Sequence, residues 1–314
     1  MADVWRSQLG SRCADWMSRL PSKLHDVALW DLAVPGSHDT MTYCLDQSSP
    51  VLRSEPRILT MLDHIVPCVI RPCIKRWATT QELSISSQLD SGIRFLDLRI
   101  ATKKKDSSRM LYFAHGIYTL LTVKEALSDV AHWLDNHAKE VVIIALSAFD
   151  DMNPAQHNNL IDFLIQLFGK KLCPRSETPS LCTCWNRGYR VILSYADPAG
   201  SEHEELWPAW DYWWANESDP NLVISYLEHR KETGRPGGFF MAGLNLTEDT
   251  RYVLCHLTQS MKSMTLQAYT VLMDWVTKQH PGSQKTSVNI ICADFVGFST
   301  NEFCEAVIGL NAKL

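Results

Sequence analysis

The chain of 314 residues lacks several features that would assign it to a large class of proteins. No apolar run approaches the roughly 18 residues of a membrane-spanning helix, which excludes such a span. Positive charge is not in excess, since 30 Lys and Arg against 35 Asp and Glu give 30 − 35 = −5. This balance argues against a nucleic-acid binder with a wholly basic surface, but it does not exclude a local basic patch. With 46% hydrophobic and 21% charged residues, the composition also excludes wholesale disorder.

Cysteine is present, but not in the spacing of a metal or redox motif. Cys182 and Cys184 are one residue apart, and Cys68 and Cys73 have no second pair at zinc-ribbon spacing. The segment 1–6 lacks the basic and apolar regions of a secretory signal. We therefore expect the ten cysteines to be free thiols in a cytoplasmic protein.

Short apolar segments are predicted to be strands, at 28–34, 93–100, 110–114, 141–146, 190–195, 239–244 and 288–295. Most are continuously apolar, which is typical of strands covered on both faces of a parallel sheet. Helical patterns stand between or after them, at 122–137, 153–169, 221–231, 266–280 and 301–313. Thr122 and Glu125 form a predicted capping box. The alternation predicts an α/β fold with a parallel sheet, and no break in composition divides the chain.

Two predicted strand ends carry an acid–base or charged pair. In VPGSHDT at 34–40, a Pro-Gly turn is expected to place His38 and Asp39 over the mouth of the sheet. In GIRFLDLR at 92–99, Asp97 and Arg99 are two residues apart and share one face of a strand. The structural alternatives are a simple turn element for His38 and Asp39 and a structural ion pair for Asp97 and Arg99.

Two more strand ends supply His115, in FAHG at 113–116, and Asp294, in IICADF at 290–295. Alone, His115 is more typical of a half-buried histidine than of a catalyst, and the structural alternative for Asp294 is a helix cap. Together, the four segments place two histidines, an arginine and carboxylates at one end of a sheet, which is where barrel enzymes have their sites. Histidines can serve as base and acid near neutral pH, and arginine binds phosphate with two donors. This set is the minimum for phosphodiester cleavage by an internal nucleophile.

The motifs PGSHDT, RFLDLR and FAHG, in this order, resemble the X domain of phosphatidylinositol-specific phospholipases C. More narrowly, the chain resembles the small animal proteins that have this domain without PH, EF-hand, Y and C2 parts. ELWP at 205–208, YWWAN at 212–216 and LNLTE at 244–248 also fit that group. The resemblance implies a single-domain, distorted TIM-type (β/α) barrel over 24–314, preceded by a lead-in at 1–23.

The resemblance also implies catalytic roles. His38 matches the general base, which takes a proton from the inositol 2-hydroxyl so that this oxygen attacks phosphorus. His115 matches the general acid, which protonates the departing diacylglycerol oxygen. Asp294 is expected to orient His38, and Asp39 to pair with His115. Arg99 is expected to stabilise the phosphate.

No metal or other cofactor is expected. Calcium-dependent relatives place oxygen ligands at four positions, which correspond here to Asp39, Asp97, Arg99 and Ser147. Arg99 puts a fixed cation where a carboxylate would bind calcium, and calcium needs six to eight oxygens. The pattern resembles the bacterial enzymes, in which an arginine replaces the ion.

The residues expected to bind the head group are Asp97, Ser147, Tyr195 and Asp211. Ser147 stands where the bacterial enzymes have a lysine, and Ser194 or Tyr195 where they have an arginine. The contacts to the polyol are therefore expected to differ, while the phosphate chemistry is retained.

The expected partners are a phosphatidylinositol or related phospholipid substrate and a transient membrane surface, with no nucleic acid. The tryptophan cluster at 207–214 is interpreted either as a lipid-facing rim or as core. The segment 57–77 interleaves basic and apolar residues, and is either a contact for anionic lipid or an ordinary solvated helix.

Two functional hypotheses from different classes remain. The first is a phospholipase C-type enzyme, which the retained acid and base favour. The second is a pseudoenzyme that binds inositol phosphates or a membrane partner, which Ser147 favours. A metal-dependent glycerophosphodiester phosphodiesterase is disfavoured because the chain offers no suitable carboxylate cluster.

Overall fold

The computed structural model describes residues 13–103, 110–249, 252–253, 256, 258–297 and 301–314. The segment 103–109, whose sequence predicts a polar, hairpin-like loop, lies mostly outside these ranges. Ten strands form one sheet: β1 (Val34–Ser37), β2 (Phe95–Thr102), β3 (Leu111–His115), β4 (Ile117–Thr122), β5 (Val142–Asp150), β6 (Val191–Tyr195), β7 (Leu206–Trp207), β8 (Asp211–Trp213), β9 (Phe240–Gly243) and β10 (Ile290–Ala293).

Eight of these strands are parallel and curl into a barrel in the order β7-β6-β5-β2-β1-β10-β9-β8. Within the described ranges, β7 and β8 do not pair with each other, so the barrel is open between them. The hairpin of β3 and β4 is antiparallel and extends the sheet from β2. The predicted single-domain, distorted (β/α) barrel is confirmed, with this open seam as its main distortion.

The α-helices in the described ranges are α1 (Arg57–Ile65), α2 (Pro67–Ala78), α3 (Ile85–Asp90), α4 (Val123–Asn136), α5 (Pro154–Phe168), α6 (Leu181–Arg187), α7 (Pro220–Thr233), α8 (Met261–Lys278) and α9 (Glu302–Gly309). The predicted capping box of Thr122 and Glu125 begins α4, and a second box begins α5. Gly169 ends α5 with a φ of +48°, as its position after the apolar stripe predicts.

The first strand lies further along the chain than the sequence pattern predicts. A strand is expected over 28–34, but Leu29–Asp31 forms a 3₁₀ turn in which Leu29 is buried, and the strand begins at Val34. A continuous apolar run does not distinguish a strand from a buried turn. The Pro-Gly pair consequently lies inside β1 and not after it. Gly36 is needed there because a Cβ atom would lie 2.7 Å from Sγ of Cys292.

A buried ion pair closes the amino-terminal end of the barrel. Nη2 of Arg94 lies 2.7 Å from Oε2 of Glu140, and neither side chain is exposed. Arg94 also donates to the carbonyl of Ala14, and Glu140 accepts from the amide of Met17 at 3.2 Å. Trp16 and Met17 belong to the main core. Residues 13–23, expected to be a lead-in, are therefore attached to the bottom of the barrel through this pair.

Candidate active site

The ends of two neighbouring strands bring His38 and Asp294 together. In the parallel register Ser37 of β1 is paired with Ala293 of β10, so the next residue of each strand emerges at the same edge. Nδ1 of His38 lies 2.7 Å from Oδ1 of Asp294, and both side chains are buried. This contact places the Nδ1 proton on the carboxylate side and leaves Nε2 facing the barrel mouth.

The following residue, Asp39, has a φ of +42°, in the left-handed region that a non-glycine residue seldom adopts. Its amide donates to Oδ2 of Asp97 at 3.2 Å. The turn directs the Asp39 carboxylate into the site, where Oδ2 lies 3.2 Å from Nε2 of His38 and 3.4 Å from Nε2 of His115. One carboxylate oxygen thus contacts both histidines.

Arg99 supplies the positive charge of the site. Its Nε lies 2.7 Å from Oδ1 of Asp39, its Nη2 lies 3.7 Å from Oδ2 of Asp97, and its side chain is 38% exposed. Nη2 also lies 3.2 Å from Nε2 of His38. Burial opposes the charge of the guanidinium, but Asp39 and Asp97 outweigh it and raise the pKa of Arg99. Burial likewise opposes the charge of Asp39, while Arg99 and the two histidines hold the pKa of this carboxyl below its ordinary value.

The electrostatics keep His38 charged in the free protein. Burial lowers the pKa of His38, but the carboxylates of Asp39 and Asp294 outweigh burial and raise this pKa to about 9. Burial raises the pKa of Asp294. The proton between His38 and Asp294 therefore lies on the imidazole at neutral pH.

His115 reaches the site by a route that differs from the prediction. The sequence pattern places it at the end of a barrel strand, but it ends β3, which runs antiparallel to β2. Because β2 rises above the mouth as far as Thr102, β3 returns towards the mouth and delivers His115 there. Nδ1 of His115 lies 2.7 Å from the carbonyl oxygen of Ala78, the last residue of α2. This contact fixes the ring, with Nε2 directed at Asp39.

These side chains line a cleft of about 340 Å³ at the carboxyl ends of the strands. From the predicted set it contains His38, Asp97, Arg99, His115 and Ser147. It also contains Trp214 of the tryptophan cluster and further residues to which the sequence analysis gave no site role: Thr80, Ala148, Tyr212, Asn245, Leu246, Thr247, Glu248 and Met261. Burial, with a contribution from Asp294, raises the pKa of Glu248 to about 7.

Two of the four predicted head-group residues lie in the cleft. Oγ of Ser147 donates to Oδ1 of Asp97 at 2.6 Å. Asp97 therefore accepts hydrogen bonds from both the hydroxyl of Ser147 and the amide of Asp39. These bonds connect the segment after β1 with β5 across the mouth of the barrel. Ser147 thus presents a small, neutral hydroxyl to the cleft.

Tyr195 does not reach the cleft. Its ring is buried on the outer side of β6, where its hydroxyl lies 2.8 Å from Nδ1 of His157 on α5. Its neighbour Ser194 donates to the carbonyl of Pro208 and does not face the cleft either. Neither of the two residues that the resemblance offered at this position therefore lines the cleft.

Asp211 does not reach the cleft either. It begins β8, so it lies at the end of the strand away from the mouth, and its carboxylate pairs with Arg230 of α7. The residue that faces the cleft is the next one, Tyr212, whose hydroxyl donates to Oδ1 of Asn245 at 2.9 Å. Gly243 leaves space for this pair, because a Cβ there would lie 2.6 Å from Cε1 of Tyr212.

The tryptophan cluster divides between core and rim. Trp213 is fully buried, and Trp207 and Trp210 are partly buried against the main core. Only Trp214 of this cluster is strongly exposed, at 48%, and its Nε1 donates to Oγ1 of Thr247 in the cleft wall. Of the two interpretations, the structure therefore favours core for three of the four tryptophans and leaves Trp214 as the residue on the rim.

The donor set is a poor fit for calcium. Among the described residues, His38, Asp39 and Asp97 can bring ligand atoms within 4.8 Å of one another. This set offers two carboxylates and a nitrogen, whereas calcium takes six to eight oxygens. The guanidinium of Arg99 already neutralises Asp39. The residues present therefore favour a resident arginine over a calcium ion at this position.

Comparison with known proteins defines the family. A family model described as PI-PLC X matches residues 75–296. The PI-PLC X domain-containing protein 1 of Danio rerio is 63% identical over 297 residues, covering 95% of this chain and 96% of that protein. Its namesake from Homo sapiens is 45% identical, covering 96% and 93%. The chain belongs to the PI-PLC X domain family.

Solved structures agree with the fold. The phosphatidylinositol-specific phospholipase C from Listeria monocytogenes superposes with a TM-score of 0.64 at 18% identity, covering 95% of this chain and 98% of that one. A mutant of the phosphatidylinositol-specific phospholipase C from Staphylococcus aureus gives a TM-score of 0.67 at 13% identity, covering 96% and 97%. Within the described ranges, no helix combines the length and apolar character needed to cross a bilayer.

Proposed function

We propose that the protein is a phospholipase C-type phosphodiesterase. Its substrate is phosphatidylinositol or a related glycerophospholipid, and its products are diacylglycerol and an inositol (cyclic) phosphate. The observation that carries the proposal is the position of Asp39, whose Oδ2 lies within 3.4 Å of Nε2 of both His38 and His115. A site that only binds has no need for an acid and a base held on one carboxylate.

The reaction needs one proton acceptor and one proton donor. In its neutral form, Nε2 of His38 takes the proton of the inositol 2-hydroxyl as this oxygen attacks phosphorus. A new P–O bond then closes the 1,2-cyclic phosphate while the bond to the diacylglycerol oxygen breaks. His115 gives its Nε2 proton to that departing oxygen, so charge and atoms balance. Hydrolysis of the cyclic product by water would use the same two groups in reverse roles.

Arg99 is proposed to stabilise the phosphoryl oxygens in place of a metal ion, so that no cofactor is needed. Its Nε is held by Asp39, and its 38% exposed side chain has further N–H donors that can reach a phosphate in the cleft. Donors that are already oriented need no rearrangement as negative charge develops, and one such donor contributes about 10²–10³ in kcat.

The high pKa of His38 limits the fraction of free protein in which this histidine is neutral and can act as the base. At neutral pH about one molecule in a hundred carries the neutral imidazole, since the pKa of His38 is about 9. This feature, together with Ser147 at a position expected to contact the head group, favours the second candidate function, a weak or inactive binder of inositol phosphates. The assembled acid, base and arginine favour the enzyme.

Phosphorus NMR of phosphatidylinositol micelles, with EGTA present, distinguishes the two functions. We expect a cyclic phosphate signal with the wild type and none with His38→Ala. His229→Ala is the matched control, because this histidine is exposed on α7, with 77% of its side chain accessible, and should keep full turnover. Absence of product with or without calcium, combined with binding of inositol phosphate, would establish the binder instead.

A further inference from the structure

The two strands that lead to His38 and Asp294 continue into turns of the same kind. The residue after each of these side chains has a positive φ, +42° for Asp39 and +52° for Phe295. Neither residue is a glycine, so both turns are strained. Strained backbone persists only where the surrounding structure holds it. The contact between His38 and Asp294 therefore lies between two turns that need support.

The side chain of Gln81 connects these turns. Gln81 follows α2 and is fully buried. Its Nε2 donates to the carbonyl oxygen of His38 at 2.9 Å and to that of Ala293 at 3.0 Å. Its Oε1 accepts from the amide of Val296 at 3.1 Å. The partners fix the orientation of the side-chain amide, since two acceptors face its nitrogen and one donor faces its oxygen.

The neighbouring residue, Thr80, contacts the same two turns. Its carbonyl oxygen accepts from the amide of Phe295 at 2.6 Å, and its Oγ1 donates to the carbonyl oxygen of His38 at 3.2 Å. The amides of Thr80 and Gln81 both donate to Oγ1 of Thr42, at 3.0 Å each. The segment that contains Gln81 is thus itself fixed to the chain that follows β1.

The position of Asp294 depends on this main-chain framework. Among the described residues, Oδ2 of Asp294 has no hydrogen-bond partner, so its carboxylate is oriented by its own backbone and by His38. The amide of His38 donates to the carbonyl oxygen of Ala293 at 3.2 Å. Gln81 donates to the same oxygen and so extends the pairing of β1 and β10 past their ends.

We propose that Gln81 is a positioning residue for His38. Its side-chain amide holds the turns after β1 and β10 at the spacing at which the imidazole is bonded to Asp294. The inference deepens the proposed function and rests on it, because His38 is the base of that reaction. Gln81 is fully buried and does not line the cleft, so it acts on the base and not on the substrate.

Gln81→Met tests the proposal, because methionine keeps the length of the side chain and lacks the amide. We expect kcat to fall about 10–100-fold, with KM nearly unchanged, since the cleft keeps its lining residues. NMR titration of the ring in the free protein should show the pKa of His38 lowered from about 9. The expected shift is about one unit or more, because a looser contact with Asp294 stabilises the imidazolium less. The downfield resonance of the Nδ1 proton should weaken.

The ring titration reports geometry and not a change of charge. The titratable and charged groups around the imidazole are Asp39, Asp97, Arg99, His115, Tyr212, Glu248 and Asp294. Gln81→Met removes none of them and exchanges one uncharged side chain for another. A lower pKa of His38 therefore measures a longer contact with its carboxylate partner.

Asn289→Leu is the matched control. Asn289 is also a fully buried amide, and its Nδ2 donates to the carbonyl oxygens of Leu29 and Leu32 at 3.0 and 2.8 Å. It precedes β10, so it lies at the end of the barrel opposite the cleft. Asn289→Leu should lower the midpoint of thermal unfolding, as Gln81→Met does, but leave the pKa of His38 and kcat unchanged.

Thr80→Val decides the proposal if Gln81→Met does not fold. It removes one bond to the carbonyl oxygen of His38, while Oγ1 of Thr42 keeps both amide donors. The pKa of His38 should again fall, and kcat should decrease about threefold.

An unchanged pKa of His38 in folded Gln81→Met overturns the proposal, whatever happens to kcat. So does a shift of the same size in Asn289→Leu, because Gln81 would then act only through stability. If Gln81→Met does not fold, an unchanged pKa in Thr80→Val overturns it. Absence of turnover in the wild type would instead contradict the proposed function, and the ring titration would still test the role of Gln81.

Discussion

Nε of Arg99 lies 2.7 Å from Oδ1 of Asp39, and the two side chains differ sharply in exposure, at 38% and 2%. The carboxylate of Asp39 is buried beneath the guanidinium of Arg99, which is itself exposed to the cleft. Asp39 thereby holds one edge of Arg99 and leaves the other donors for a ligand. This arrangement makes the geometry of the arginine, and not only its charge, important for the reaction.

Replacement of Arg99 by lysine should lower kcat at least about tenfold, and Arg99→Gln by about 10²–10³. Lysine keeps a positive charge but lacks the planar fork that binds Asp39 and a phosphate together. The rate of cyclic phosphate formation measures the effect. Arg230→Lys is the matched control, since Arg230 pairs with Asp211 away from the cleft. Full activity of Arg99→Lys would show that charge alone is sufficient.

Removal of calcium should leave the reaction rate unchanged. The group of candidate ligand atoms in the described site, from His38, Asp39 and Asp97, has two carboxylates, one of them neutralised by Arg99, and so falls short of the six to eight oxygens that calcium takes. The test is to compare initial rates in EGTA and in added calcium. A rate that falls in EGTA and recovers on addition of calcium would contradict the assignment of Arg99 as the resident cation.

The pH dependence of kcat/KM should show a rising limb with a midpoint near 9. The pKa of His38 is raised to about 9, so the neutral base becomes about tenfold scarcer for each pH unit below that value. Asp294→Asn removes one of the carboxylates responsible. It should move the limb to lower pH, although the maximal rate falls because asparagine orients the imidazole less firmly. An unchanged midpoint in Asp294→Asn would show that the rising limb does not report the deprotonation of His38.

The sequence was sufficient for the parts of the site that local motifs carry. His38, Asp39, Arg99 and Asp294 are brought together as the strand ends predict, because parallel strands share one carboxyl edge. The route of His115 could not be foreseen, since it depends on how far β2 extends above the barrel mouth. Nor could the contact of its Nδ1 with Ala78, which comes from a helix distant in sequence.

Errors arose where the resemblance is carried by single residues and not by a motif. The sequence predicts Tyr195 and Asp211 in the cleft, whereas Tyr212 lies there and Asp211 begins its strand at the far end. The signal for Asn245 was available, since it follows the predicted strand at 239–244 as His38 follows β1. Position after a strand is thus a better guide than a loosely matched motif.

His115→Ala should lower the cleavage of phosphatidylinositol by about 10²–10⁴, the range for a general acid. The loss should be much smaller with a nitrophenyl ester of inositol phosphate, because nitrophenolate leaves without a proton. His38→Ala should impair both substrates equally, since the 2-hydroxyl still needs a base. Steady-state rates of the two variants on the two substrates provide the comparison. Equal losses in His115→Ala on both substrates would exclude His115 as the acid.

The ion pair below the barrel should control stability and not chemistry. The side chains of Arg94 and Glu140 are fully inaccessible and 2.7 Å apart. Glu140→Gln therefore leaves the guanidinium of Arg94 buried without a counter-charge. We expect the free energy of unfolding to fall by about 3–5 kcal/mol, measured by urea denaturation. The ring centroid of Trp133 lies 4.7 Å from the guanidinium carbon, so release of the arginine should also change the tryptophan fluorescence of the folded protein.

An exposed ion pair provides the control for Glu140→Gln. Asp274→Asn breaks the pair with Lys278, in which both side chains are well exposed, and should cost under about 1 kcal/mol. The difference between the two variants measures what burial adds to the loss of a counter-charge. A loss of stability in Glu140→Gln no larger than that in Asp274→Asn would show that the residues at the amino-terminal end of the barrel compensate for the missing charge.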